Sequence, residues 1–170
     1  TLLASSAASD VYKRQMWNIE KIRQGLKSNW NYIDGVMIKA VLQMYDVTKD
    51  EKYLKFADDF IDYRVHEDGT IEGYSIGEKN IDNVNAGKTL FELYDLTGKE
   101  KYRKAIDLVY SQIEIMPRCN NEARSFWHKD IYPNQVWLDG MYMGQPFYLE
   151  YETKFNNRKN YPDIFAQFKY

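Results

Sequence analysis

Two stretches of this chain repeat one residue pattern. Residues 42–55 align with residues 91–104, so that Tyr45 matches Tyr94 and the Asp that follows each Tyr also matches. Self-similarity with a period of about 50 residues is typical of stacked supersecondary units. A unit of this kind cannot bury its apolar face alone, so the chain must fold by stacking each unit on its neighbours.

Each repeat is predicted to be a helix, a tight turn and a second helix. Thr48 and Thr97 begin sequences of capping-box form, in which the hydroxyl accepts from the backbone N–H three residues on and Glu51 or Glu100 reaches back. After each turn, apolar residues follow at helical spacing, which predicts amphipathic outer helices. The two apolar stripes are Tyr53, Phe56, Ala57, Phe60 and Ile61, and Tyr102, Ala105, Ile106, Val109 and Tyr110.

The helices before the turns have a different pattern. Residues 36–44 are apolar on nearly every side, which predicts burial on several sides. A third unit is predicted at residues 140–151, with Pro146 early in its helix and an outer helix near residues 161–168. A ring of apolar inner helices and amphipathic outer helices has this pattern. The predicted fold class is therefore all-α, built from helical hairpins.

Composition and charge exclude several classes of protein. The net charge of −2 and the lack of a basic run argue against nucleic-acid binding, and no apolar run is long enough to span a membrane. Cys119 is the single cysteine, so no internal disulfide is predicted. With two His and one Cys at no metal-ligand spacing, no metal centre is predicted.

Residues 1–15 do not share the helical periodicity, and Met16 begins a sequence typical of a natural start. We interpret residues 1–15 as a non-native or disordered leader, which predicts a cytoplasmic protein that starts at Met16. A signal-peptide remnant is the alternative, although the basic region of such a peptide is missing. Residues 16–170 are predicted to be a truncated domain, because two units and part of a third form an open arc and not a closed ring.

Carboxylates recur where successive inner helices begin. Asp82 and Asp139 stand at the same spacing before Tyr94 and Tyr151, and Asp34 lies one position from the matching place in the first unit. Long connections, about residues 66–80 and 116–135, reach the same face, and long loops in compact domains are usually functional. Two converging acids could perform acid and base chemistry on a sugar. The alternative is plain helix capping.

The segment around Asp139 concentrates further candidates. Trp127, His128, Lys129 and Trp137 fall in one loop and helix start with Asp139. Indole rings offer flat faces to sugar rings, and the His and Lys side chains could meet an anionic group. Each has an alternative role: the Trp rings in the core, His128 bonded to a loop carbonyl, and Lys129 in solvent.

Residues 126–147, with Phe-Trp-His-Lys at 126–129 and Trp-Leu-Asp-Gly at 137–140, resemble glycoside hydrolase family 105, the unsaturated rhamnogalacturonyl hydrolases. Residues 30–35 and 80–87 support the resemblance. This family is related to the unsaturated glucuronyl hydrolases of family 88. The resemblance extends from residue 16 to about residue 168. It implies that residues 16–170 are the truncated N-terminal part, about half, of an (α/α)6 barrel, or toroid. It implies hydration of the vinyl ether in a 4,5-unsaturated galacturonic acid that a pectin lyase has left, with no cofactor.

The resemblance also implies roles for single residues. Asp139 is the expected general acid and base, and Asp82 the second acid. The expected substrate contacts are Tyr32, His128, Lys129 and Trp137. The expected partner is an unsaturated oligosaccharide, and the isolated fragment is expected to be inactive. Two alternatives stay open: an unsaturated glucuronyl hydrolase acting on glycosaminoglycan fragments, and a non-catalytic helical-repeat binding scaffold.

Overall fold

The computed structural model describes residues 29–169 and contains, in that range, six α-helices and no β-strand. The helices are α1 Tyr32–Thr48, α2 Glu51–Asp62, α3 Val84–Thr97, α4 Glu100–Ile115, α5 Leu138–Phe155 and α6 Tyr161–Gln167. Two short 3-10 helices, Ile76–Glu78 and Ile81–Asn83, precede α3. The all-α prediction is confirmed, whereas the predicted leader at residues 1–15 lies outside the described part of the chain.

The six helices form three hairpins in an arc, with α3 packed between α1 and α5. The central position of α3 explains its burial, since Leu90, Phe91 and Leu93 are completely enclosed. The burial predicted for residues 36–44 is wrong at Val36 and Met44, each 44% exposed. These two residues are exposed because, within residues 29–169, α1 packs against another inner helix on one side only. None of the described helices combines the length and the apolar character that crossing a membrane requires.

The predicted capping boxes are wrong, although the turns lie where they were predicted. Thr48 ends α1, and its hydroxyl donates to the carbonyl of Met44 at 2.6 Å instead of capping the next helix. The N-cap of α2 is Asp50, whose carboxylate accepts from the backbone N–H of Lys52 at 3.1 Å. Thr97 likewise donates to the carbonyl four residues earlier, at 2.6 Å. A threonine hydroxyl can satisfy the end of one helix as readily as the start of the next.

The glutamate of each turn binds a tyrosine of the preceding inner helix. The hydroxyl of Tyr45 donates to Glu51 at 3.3 Å, and that of Tyr94 donates to Glu100 at 3.3 Å. This hydrogen bond joins the inner helix of each hairpin to the outer helix next to the turn. The tyrosines and glutamates of the repeat are therefore explained by the hairpin itself.

A close approach of two backbones aligns the first two inner helices. A Cβ atom on Gly35 would lie 2.5 Å from the Cα of Ala86, so only glycine allows α1 to approach α3 this closely. The side-chain amide of Asn85 donates to the carbonyl of Tyr32 at 2.9 Å. These contacts bring the beginnings of α1 and α3 to one level, on the face that receives the long connections.

The carboxylate at the corresponding place in α1 has a structural role. Asp34 and Arg64 are buried, and the Oδ2 of Asp34 lies 2.6 Å from the Nη1 of Arg64. The amide of Asn31 donates to the same carboxylate at 3.2 Å, and the guanidinium lies over the ring of Phe60. This buried ion pair joins the start of α1 to the end of α2, which removes Asp34 from the candidate site.

A second buried carboxylate organises the third hairpin. Glu152 of α5 is completely enclosed, and its oxygens accept from Tyr110, Asn156 and the backbone and side chain of Asn160 at 2.8–2.9 Å. Burial alone raises the pKa of Glu152, but these hydrogen bonds outweigh burial and hold the pKa below its usual value. The ionised carboxylate therefore stabilises the junction between α4, α5 and α6.

We expect Glu152→Gln to lower the free energy of unfolding at pH 7 by about 1.5–3 kcal/mol, because charge-assisted hydrogen bonds contribute about that much. A carboxyl whose pKa is lowered by folding contributes stability above the unfolded pKa of about 4.3, and the contribution is lost as the pH falls through the folded value. Urea titrations from pH 3 to 7 should show a weaker pH dependence in the variant. The control Glu122→Gln, at an exposed position, should show the same pH dependence as the wild type. If Glu152→Gln loses stability below about pH 5 as steeply as the wild type does, the stabilising role of the ionised Glu152 is contradicted.

Candidate active site

The two long connections are joined to each other by their main chains. The backbone N–H of Ile81 donates to the carbonyl of His128 at 3.0 Å, and the N–H of Asp130 donates to the carbonyl of Lys79 at 3.2 Å. The connection before α3 and the connection before α5 thus run side by side for a short distance. This pairing brings together the two chain segments that carry the candidate acids.

Two carboxylates and one imidazole meet at this place. One ligand-type atom from each of Asp82, His128 and Asp139 lies within 4.8 Å of the others. Asp82 sits on the 3-10 helix before α3 and is 8% exposed, His128 is 2% exposed, and Asp139 is exposed on the first turn of α5. The structure therefore brings together the two acids that the sequence spacing singled out, one enclosed and one open to solvent.

Charge around Asp82 is compensated on one side only. Lys129 Nζ lies 2.9 Å from the Oδ2 of Asp82. His128 Nε2 lies 3.4 Å from the Oδ1 of Asp82, in a geometry that makes no hydrogen bond. Within the described residues, Asp82 Oδ1 and His128 Nδ1 are buried without a hydrogen-bond partner. Buried polar atoms are nearly always satisfied, so these two atoms mark a place where a ligand could bind.

The imidazole of His128 is held in its neutral form by its surroundings. Burial lowers the pKa of His128, and the carboxylates of Asp82 and Asp139 raise it by less than burial lowers it. A neutral imidazole has one donor and one acceptor nitrogen. His128 can therefore exchange hydrogen bonds with a sugar hydroxyl or a water molecule without adding positive charge.

An aromatic stack covers one side of the imidazole. The ring of Trp137 lies 4.1 Å from that of His128, and the ring of Tyr132 lies 5.3 Å from that of Trp137, both nearly parallel. Trp137 is 40% exposed and donates to the side chain of Gln135 at 3.0 Å. The indole stacks on the imidazole and so fixes the orientation of His128, and the exposed part of the indole lies next to the imidazole.

The glycine after Asp139 is explained by the same packing. A Cβ atom on Gly140 would lie 2.9 Å from the Nδ1 of His128. Any other residue would displace the imidazole. The Asp-Gly pair thus places a carboxylate and a histidine side by side at the start of α5.

Five of the six residues that the resemblance pointed to lie in the cluster or contact it directly. Asp82, His128 and Asp139 form the cluster. Lys129 contacts it through Asp82, and Trp137 contacts it through its stack on His128. Tyr32 differs, because no hydrogen bond or ring contact joins its side chain to the cluster within residues 29–169. Its ring is 42% exposed at the first residue of α1.

An open cleft of about 320 Å³ adjoins Lys129. It is lined by Gly77, Glu78, Asn80, Lys129, Asp130 and Ile131. Both long connections contribute walls, so the cleft exists because the two connections are paired. Its volume is large enough for a sugar ring.

Among the described residues, Asp82, His128 and Asp139 are also the one group of side chains that could hold a metal ion. The absence of a metal centre stays a prediction.

The sequence analysis did not identify two residues near this site, Lys88 of α3 and Tyr142 of α5. The side chain of Lys88 donates a hydrogen bond to the carbonyl of Tyr142 at 3.0 Å. The sequence feature that could have indicated this contact is Pro146, because a proline inside a helix leaves the carbonyl four residues before it without its helical donor.

Comparisons with known proteins show the family and the fold. The family model described as Glycosyl Hydrolase Family 88 matches residues 7–170. A solved structure of a family 105 glycoside hydrolase from C. acetobutylicum ATCC 824 is similar to this chain, with 43% sequence identity and a TM-score of 0.79. The similarity covers 92% of this chain and 43% of that protein. The chain therefore spans less than half the length of this relative, and the predicted helical-hairpin fold is confirmed.

Proposed function

The chain belongs to glycosyl hydrolase family 88, and we propose that it carries the acid pair of an unsaturated rhamnogalacturonyl hydrolase. The proposed substrate is a 4,5-unsaturated galacturonic acid linked to rhamnose, as rhamnogalacturonan lyases leave it. The observation that carries this proposal is the convergence of Asp82 and Asp139 around the buried His128. The similarity to a family 105 hydrolase supports the choice of substrate class.

In the proposed reaction Asp139 donates a proton to C4 of the vinyl ether. Its exposed position on the rim of the site allows it to reach a bound sugar. The positive charge that develops at C5 and the ring oxygen is captured by a water molecule, which loses its proton to the Asp139 carboxylate. Asp82, with its charge compensated by Lys129 at 2.9 Å, orients the sugar and the water.

The product of this addition falls apart without further catalysis by the chain. Water at C5 gives a hemiketal, and the ring opens when the bond between C5 and the ring oxygen breaks, leaving a ketone at C5. C1 then bears both a hydroxyl and the glycosidic oxygen, so the group at C1 is a hemiacetal. Its collapse to an aldehyde releases the second sugar as a free alcohol. The oxygen of the added water stays in the uronic acid product as the C5 ketone, and of the two hydrogens that the water adds, one ends in the uronic acid and one in the hydroxyl of the released sugar.

The surroundings of the acids suit a sugar substrate. The exposed part of the Trp137 indole offers apolar surface beside His128. The cleft that Lys129 lines provides a place for the leaving sugar, since Lys129 also pairs with Asp82. The unpartnered Oδ1 of Asp82 can accept from a sugar hydroxyl.

A second candidate function is the removal of unsaturated glucuronic acid from glycosaminoglycan fragments. The specific observation in its favour is that the matching model is that of family 88. The chemistry at Asp139 would be the same, and the difference would lie in the sugar to which the uronic acid is joined.

The test measures the ultraviolet absorbance of the conjugated alkene in both types of unsaturated disaccharide, using the full-length gene product. Loss of absorbance with the galacturonyl-rhamnose compound, faster than with the glucuronyl compound, is the expected result. The opposite ranking would favour the second candidate, and no loss with either would favour a non-catalytic scaffold. The isolated 170-residue chain, assayed in parallel, is expected to be inactive.

A further inference from the structure

Pro146 lies inside α5, the helix that carries Asp139 on its first turn. Proline has no backbone N–H, so the carbonyl of Tyr142, four residues earlier, lacks its helical donor. A helix in this state bends or loses its regular hydrogen bonds unless another group satisfies the free carbonyl. The free carbonyl lies between the proline and the candidate acid.

Lys88 of the neighbouring helix α3 supplies the missing donor. Its Nζ donates to the carbonyl oxygen of Tyr142 at 3.0 Å. The same ammonium lies 3.9 Å from the centre of the Tyr142 ring, where a cation–π interaction adds to the hydrogen bond. One side chain of α3 therefore holds both the backbone and the ring of one residue of α5.

The protein keeps this ammonium in unfavourable surroundings. Burial, and to a smaller extent the nearby ammonium of Lys39 on α1, together lower the pKa of Lys88 to about 8. Within residues 29–169 no carboxylate forms an ion pair with Lys88. A half-buried cation without a counter-ion is costly for a fold, and perturbed groups of this kind are concentrated at functional sites.

We propose that Lys88 is a positioning residue that fixes the separation of the two carboxylates. Tyr142 follows Asp139 by three residues, so the two lie on the same face of α5 about one turn apart. Asp82 lies on the 3-10 helix directly before α3. The bond from Lys88 to Tyr142 thus ties α3, which directly follows Asp82, to the part of α5 that begins with Asp139. This inference rests on the proposed function.

A double-mutant cycle in the full-length gene product tests the proposal. Lys88→Met removes the donor, and Pro146→Ala gives residue 146 an N–H that can bond the Tyr142 carbonyl within the helix. Pro146 is exposed, so its replacement leaves the core unchanged. We expect Lys88→Met to lower kcat about 100-fold with little change in KM, since small displacements of catalytic groups cost about this much. In the Pro146→Ala background the same substitution should lower kcat by less than about 10-fold.

Two further variants separate positioning from general stabilisation. Lys88→Arg keeps a cationic donor and is expected to retain most of the activity. Lys154→Met breaks an ion pair with Asp95, which joins the same two helices at their other end. We expect this control to leave kcat within about 3-fold of the wild type, because exposed ion pairs contribute little.

Several outcomes would overturn the proposal. A loss on Lys88→Met that Pro146→Ala does not reduce, or that appears mainly in KM, would show that Lys88 binds the substrate directly. Additive effects of the two substitutions on the urea midpoint would show that Lys88 and the proline break are not coupled. If the wild type has no activity on either disaccharide, the proposed function fails. The double-mutant cycle measured by urea unfolding then still decides whether the bond from Lys88 to Tyr142 joins α3 and α5.

Discussion

Asp139→Asn is expected to lower the turnover of the unsaturated disaccharide by about 10²- to 10⁴-fold, the range that loss of general acid and base catalysis produces. An amide cannot donate the proton that C4 requires, nor take one from water afterwards. Asn has nearly the shape of Asp, and Asp139 is exposed, so the variant should fold as the wild type does. The measurement is the decay of alkene absorbance at saturating substrate.

Asp46→Asn is the matched control for this variant. Asp46 is also exposed on an inner helix, but it lies near the turn of the first hairpin and pairs with Lys49 in solvent. Its replacement should leave the rate unchanged. A rate within about threefold of the wild type for Asp139→Asn would move the proton donor to another group, of which Asp82 is the nearest carboxyl in the described cluster.

Arg64→Met is expected to lower the free energy of unfolding by about 3–5 kcal/mol, the largest effect on stability that we predict. Methionine keeps the contact with Phe60 but leaves the carboxylate of Asp34 buried without its cation. An unpaired charge in an enclosed position costs far more than a lost surface ion pair. Urea unfolding monitored by tryptophan fluorescence measures the difference.

The double variant Asp34→Asn with Arg64→Met identifies the cause of this loss. If the uncompensated charge is responsible, removing the carboxylate should restore most of the lost free energy. If the double variant is as unstable as Arg64→Met alone, packing of the arginine is responsible instead. Lys49→Met, which breaks the exposed pair with Asp46, should leave the free energy of unfolding nearly unchanged, because solvent screens this pair.

The fold could be predicted because the residue pattern and the architecture share one period. The apolar stripe of α4 is buried at all five positions from Tyr102 to Tyr110. The matching stripe of α2 includes Phe56, which is 40% exposed. Spacing predicts the face that a helix turns inward, but it does not predict how far a neighbouring helix covers that face. The difference arises because α4 packs against both α3 and α5, whereas α2 packs mainly against α1.

The candidate site could be predicted only in part, for a related reason. Asp34 and Asp82 occupy similar places at the beginnings of inner helices, yet Asp34 is bound by Arg64, which lies 30 positions away in the chain. Spacing along the chain does not show which carboxylate a distant cation will pair with. The contact of Lys88 could not be predicted from spacing for the same reason, since its partner is a backbone carbonyl 54 positions away.

The pairing of the two long connections has a consequence for how this site tolerates change over evolution. The bonds from Ile81 to His128 and from Asp130 to Lys79 use main-chain atoms only. Replacing the side chain of Asp130 leaves those bonds in place, so relatives are free to differ there in sequence. Lys79 is more restricted, because its φ of 44° is a left-handed conformation that disfavours β-branched residues. Inserting or deleting one residue shifts the register of the pairing and separates Asp82 from His128. We therefore expect divergence along these segments to proceed by substitution while their lengths between the paired positions stay constant.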